Sequence, residues 1–204
     1  MSALGISLQL KTSAEYLAWE EHQTERHEYL NGVVLAISGG SYAHNQIIGD
    51  LAQEIGIRLL GTPCRKFTSS QRVRVVDANS YLYPDVGIHC GEPELTFGDS
   101  LLNPIALFEV LSPSTEKFDR QDKFHRYQTI ETLQEYFLVH QDRAKVEVFR
   151  RTSSGAWEPN PSSTSMGLEA SFTQESVGIT IPLSGIYHGV LLLEEEALPN
   201  SPQT

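Results

Sequence analysis

The chain has 204 residues, of which 40% are hydrophobic and 20% charged, and a formal net charge of −11; that balance suits one soluble domain able to bury a core. The acidic total argues against an indiscriminate nucleic-acid coat, because phosphate binding needs locally basic surface, yet "CRKF", "QRVRVV", "KFDRQDKFHRY" and "KVEVFRR" keep a basic strip on an acidic body open. No run approaches the roughly 20 apolar residues of a membrane helix, and the first residues lack the pattern of a signal peptide, so a cytoplasmic protein without membrane contact is expected.

In "KTSAEYLAWEEHQ", Thr12 and Glu15 stand in the relation of a capping box, which predicts a first helix. "HEYLNGVVLAIS" then sets Asn31-Gly32 between two β-prone runs and predicts a tight hairpin. In "SYAHNQIIGDLAQEIGIRLLG", Ile47, Leu51, Ile55 and Leu59 recur every fourth residue before Gly61, the pattern of a helix with one buried stripe.

Three strands are expected next. "QRVRVV" alternates, "YPDVGIHC" begins after a proline, and "PIALFEVLS" is nearly continuous apolar, as a doubly covered central strand would be. "STEKFDRQDKFHRYQTI" reads as a helix placing Asp119, Lys123 and Tyr127 on one face, with Ser112 and Ser114 as capping residues. "EYFLVHQ" and "KVEVFRR" read as strands, "TSSGAWEPNPSSTSMG" as a loop and "ESVGITIPL" as a last strand. Cys64 and Cys90 are too few for a disulfide framework or a zinc cage and are read as reduced, buried thiols. The order implies an α/β (α+β) mixed sheet with packed helices, one domain over residues 1–195 and an acidic, polar tail over 196–204.

Glu109 is the residue that needs explaining, because a carboxylate inside a buried strand costs several kcal/mol unless something answers its charge. A bland reading pairs it with a nearby Lys or Arg, and Asp85, after Pro84, is by itself an ordinary turn residue. Taken together, the two acids belong to consecutive long strands whose ends could meet. Converging carboxylates suit Mg²⁺, a hard cation that completes its shell with water and substrate phosphate. Lys123 is the best placed lysine to stabilise developing negative charge. A glycosidase-type carboxylate pair ranks last, with Trp19 and Trp157 far from the acids in sequence. No G-x-S-x-G elbow, Walker loop or G-x-G-x-x-G turn is present.

"YPDVGIHC", "PIALFEVLSPST", "DRQDKFHRY" and "EYFLVHQ" together resemble the Uma family of restriction endonucleases, a bacterial branch of the PD-(D/E)XK nuclease superfamily. The resemblance runs from "HEYLNG" to "KVEVFRR". It implies a restriction endonuclease-like core, with the first helix and hairpin as an N-terminal extension. It also implies a DNA endonuclease using Mg²⁺, or Mn²⁺, with Asp85, Glu109 and the Val110 carbonyl as metal ligands. Leu111 stands where the superfamily's strand lysine would be, and the resemblance implies that Lys123 replaces it. His44 is a further catalytic candidate, weighed evenly against a plain helix N-terminal role. DNA is the implied partner, a homodimer would let two sites cut two strands, and the alternative is a nuclease-fold module that binds nucleic acid or protein without turnover.

Overall fold

The computed structural model describes residues 8–9, 12–37, 39–159 and 164–193; the expected tail over 196–204 lies outside them. β1 (Leu8–Gln9) leads to α1 (Ser13–Glu20). The anticipated capping box is formed: the Thr12 side chain accepts from the Glu15 N–H, and the Glu15 carboxylate accepts from the Thr12 N–H at 2.8 Å. β2 (His27–Leu30) and β3 (Val33–Ala36) make the hairpin, with positive φ at Asn31 (46°) and Gly32 (101°), as a two-residue turn between twisted strands requires. α2 (Tyr42–Arg58) buries Ile47, Leu51 and Ile55.

Among the described residues seven strands, not the expected three, lie between α2 and the next helix: β4 (Cys64–Thr68), β5 (Val73–Val75), β6 (Ser80–Leu82), β7 (Val86–Cys90), β8 (Leu95–Thr96), β9 (Ser100–Leu101) and β10 (Pro104–Leu111). Most of the extra ones are too short for alternation to register, and they exist because partners in the sheets complete their hydrogen bonds. The predicted long helix is interrupted: α3 (Glu116–Phe118) and α4 (Phe124–Tyr127) flank a π-helical stretch, Asp119–Lys123. β11 (Glu135–His140) and β12 (Lys145–Arg151) follow as expected.

Three expectations are corrected by tertiary pairing. The Ser- and Pro-rich segment read as a loop contributes β13 (Trp157–Pro159) and β14 (Ser165–Met166), both paired antiparallel with β12, whose ladder supplies the order that composition does not. The last expected strand starts only at Ile179, as β16 (Ile179–Pro182) in a hairpin with β15 (Ser171–Gln174), and α5 (Leu183–Ile186) follows. Cys64 and Cys90 are not separate thiols: they are register partners on β4 and β7 and are joined by a disulfide.

One sheet runs β1-β3-β2-β6-β5-β9-β8; the central one runs β13-β12-β11-β10-β7-β4. In the central sheet β10 is parallel to β11 and antiparallel to β7. Alternation along β10 divides its neighbours. Ala106, Phe108 and Val110 pack with Ile47, Leu51 and Ile55 of α2, while Leu107 and Leu111 pack with Tyr127, Tyr136 and Leu82. Glu109 belongs to the second face by that same period of two. β7 starts where β10 nears its C-terminal end, with Phe108 opposite Val86. The N-terminus of α2, the π-helical stretch and the β2–β3 hairpin converge on this edge, where open α/β sheets commonly bind ligands.

Candidate active site

Asp85 lies one residue before β7 and turns its carboxylate along the sheet edge. Its Oδ2 accepts from the Val110 N–H at 2.7 Å, and its Oδ1 lies 3.6 Å from His44 Nε2. Because the N–H and C=O of a strand residue point to one edge, the Val110 carbonyl faces the Asp85 side, beyond the last β7 pairing at Phe108. His44 occupies the first turn of α2, where the Ser41 Oγ caps it by accepting the His44 N–H at 3.1 Å. Gly40 makes room for the imidazole, since a Cβ there would overlap the His44 ring. Nδ1 of His44 is buried without a hydrogen-bond partner.

Glu109 is 2% exposed and Lys123 6%. Lys123 Nζ lies 3.1 Å from each Glu109 oxygen, 3.1 Å from Glu28 Oε1, 3.7 Å from Asp119 Oδ1 and 3.4 Å from the Tyr83 carbonyl. The Tyr127 hydroxyl donates to Glu109 Oε1 at 3.2 Å. Tyr127 is thus a core residue that also orients the strand acid. The cap expected at Ser112 or Ser114 is not formed: the N-cap of α3 is Thr115, without a side-chain cap bond, and the Ser112 Oγ accepts the Thr115 N–H at 3.2 Å in the turn before the helix.

Burial, the largest influence, pushes the Glu109 carboxyl well above the usual range; Lys123 opposes it, while Asp119, Asp85 and Glu28 add to it. For Lys123 burial works against the charge, but Glu109, Glu28, Asp119 and Asp85 outweigh it and hold the ammonium well above the ordinary lysine value. Burial likewise raises Asp119 to about 6. Beside burial, the neighbouring acids act in one direction on all three groups, favouring a held proton or a further cation.

That preference and the oxygen donors of Asp85, Glu109 and Val110 fit a hard divalent cation. Among the described residues no three His, Cys, Asp or Glu side chains are gathered to cage a metal by themselves. Mg²⁺ needs fewer, since it usually keeps several waters and takes one or two carboxylates plus substrate phosphate. Glu28, Ser112 and Gln141 join these residues in lining a cleft of about 250 Å³.

The sequence-predicted residues Asp85, Glu109, Val110, Lys123 and His44 therefore share one cleft. Glu28 and Asp119 were missed as members of it. The signal for Glu28 was available: like Glu109, it is a carboxylate inside a strand, "HEYL", and it is buried at 5% exposure.

The sheet edge thus gathers four acids, Glu28, Asp85, Glu109 and Asp119, and Lys123 in one cleft. A crystal structure from Anabaena variabilis, described as "a putative nuclease belonging to DUF820", superposes with a TM-score of 0.67 at 16% identity, covering 86% of this chain and 97% of that one. The chain belongs to the Uma2 family, described as "Putative restriction endonuclease", whose model matches residues 13–182. Two relatives from Synechocystis sp., both described as uncharacterized, are similar along most of their length. The protein slr1290 is 33% identical over 176 residues, 86% of this chain and 90% of its own. The protein sll1609 is 35% identical over 148 residues, 72% of this chain and 84% of its own. Among the described residues no helix is long and apolar enough to cross a membrane.

Proposed function

We propose that the protein is a DNA endonuclease that depends on Mg²⁺ or Mn²⁺. The observation that carries the reading is the gathering of Asp85, Glu109 and Lys123 in one cleft whose acids outnumber its cations. Asp85, Glu109 and the Val110 carbonyl would hold the cation. When bound, it supplies polarisation of the scissile phosphate and a lowered pKa for water. Water adds to phosphorus, the P–O3′ bond breaks, and the released 3′-oxygen ends as a hydroxyl. Lys123 contributes a fixed positive charge against the anion that builds up on phosphorus, strongest where water is excluded. His44 stands beside Asp85, its Nε2 3.6 Å from that carboxylate.

The test is plasmid cleavage with Mg²⁺ or Mn²⁺, comparing the wild type with Asp85→Ala, Glu109→Ala and Lys123→Ala. Metal-dependent cutting lost in each variant is expected; cutting that survives in Glu109→Ala sinks the reading. The second reading, a nuclease-fold module that binds without cutting, draws on one observation: both Glu109 oxygens already lie 3.1 Å from Lys123. A wild type that never cuts leaves it ahead.

A further inference from the structure

Glu28 comes from the β2–β3 hairpin, in a different sheet from β10 with its proposed ligands Glu109 and Val110, yet it reaches both halves of the site. Its Oε1 lies 3.1 Å from Lys123 Nζ and accepts the Tyr83 N–H at 3.2 Å, while Lys123 donates to the Tyr83 carbonyl at 3.4 Å. Carboxylate, ammonium and the backbone of Tyr83 thus close a ring, and Asp85 lies two residues beyond Tyr83. Glu28 and Lys123 are 5% and 6% exposed, so each depends chiefly on its protein partners.

An ammonium has three N–H donors. Glu109 can receive from Lys123 only as far as its oxygens are not turned to a cation, and Tyr83 offers a neutral carbonyl. Asp119, at 3.7 Å, is beyond good hydrogen-bonding distance. Among the described residues, Glu28 is the one close carboxylate on Lys123 that the proposed metal does not claim.

We infer that Glu28 is a positioning residue of the active site: it holds and aims the Lys123 ammonium while Glu109 serves the cation, and through Tyr83 it fixes the approach of the chain to Asp85. The inference rests on the nuclease reading and makes the N-terminal hairpin part of the catalytic apparatus. Groups that orient residues of a metal site commonly cost 10- to 100-fold when removed.

Glu28→Gln keeps a carbonyl oxygen for the Tyr83 N–H but removes the charge from Lys123. With Mg²⁺ and plasmid DNA it should lose roughly 10- to 100-fold in kcat at unchanged KM and nearly unchanged melting temperature. A folded variant that cuts at the wild-type rate overturns the inference. Side-chain nitrogen NMR gives a readout independent of cutting: the Lys123 ammonium, assigned by its loss in Lys123→Met, should be visible and slow to exchange in the wild type and should vanish in Glu28→Gln. Should the variant fail to fold, a wild-type ammonium already invisible through fast exchange overturns the inference alone. A wild type that cuts no DNA removes the nuclease reading, and the ammonium signal then decides whether Glu28 holds Lys123.

Discussion

Glu109 and Glu135 stand on neighbouring parallel strands, β10 and β11, and each is 2% exposed. Their surroundings differ sharply. Glu135 accepts from Arg150 Nε at 3.0 Å, Gln174 Nε2 at 2.6 Å, the N–H groups of Glu175 and Ser176 at 3.0 Å each, and Ser176 Oγ at 2.9 Å. That carboxylate is saturated with donors and ties the β15–β16 turn to the central sheet. Glu109 has Lys123 and Tyr127 and otherwise faces the acids Asp119, Asp85 and Glu28. Depth of burial does not separate a structural acid from one suited to chemistry. What separates them is whether the protein alone answers the charge or leaves part of the answer to a ligand.

The largest test of that contrast is Glu109→Gln, which should cost cutting at least about 10²- to 10³-fold while leaving thermal stability equal to or above that of the wild type. A stability loss there as large as at Glu135 would erase the distinction. Glu135→Ala should do the reverse, lowering unfolding free energy by about 3–5 kcal/mol in urea, because Gln174 Nε2 and two backbone N–H groups lose their buried acceptor.

A pH series sharpens the contrast. Burial holds Asp119 at about 6 in the folded protein, above its ordinary value of 3.8. The folded state therefore keeps the proton that the unfolded state gives up. Stability should fall as pH rises through that window and level off above it, by roughly 2–3 kcal/mol. Asp119→Asn should flatten this slope in urea midpoints taken from pH 4 to 7.

The smallest effect is expected at the other ion network. Hydrogen bonds from Arg120, then Lys145 and His140, hold the Glu147 carboxyl well below the usual range, against partial burial. This depressed value contributes stability above about pH 4.5, lost as pH falls further. Glu147→Gln should therefore cost only about 1 kcal/mol at pH 7 after solvent screening, and nothing in strong acid.

The hairpin at Asn31-Gly32, the capping box of α1, the buried stripe of α2 and the central strand β10 were legible in the sequence because each depends on neighbours a few residues away. Glu109 stood out for a related reason, as a charge that breaks an apolar strand, whereas Asp85 and Lys123 gained their roles from being read with it and from the family resemblance. The short strands, the π-helical turn at Asp119–Lys123 and the Cys64–Cys90 bond were not legible. They arise where segments distant in sequence meet, and no period or cap announces such meetings. Glu28 shows the limit most clearly: its residue type was visible in "HEYL", but its partners, Lys123 and Tyr83, lie 95 and 55 residues downstream. The sequence by itself determined which side chains could carry charge into the core. Only the tertiary structure decided which charges face one another, because a Coulomb interaction depends on distance through the folded molecule and not along the chain.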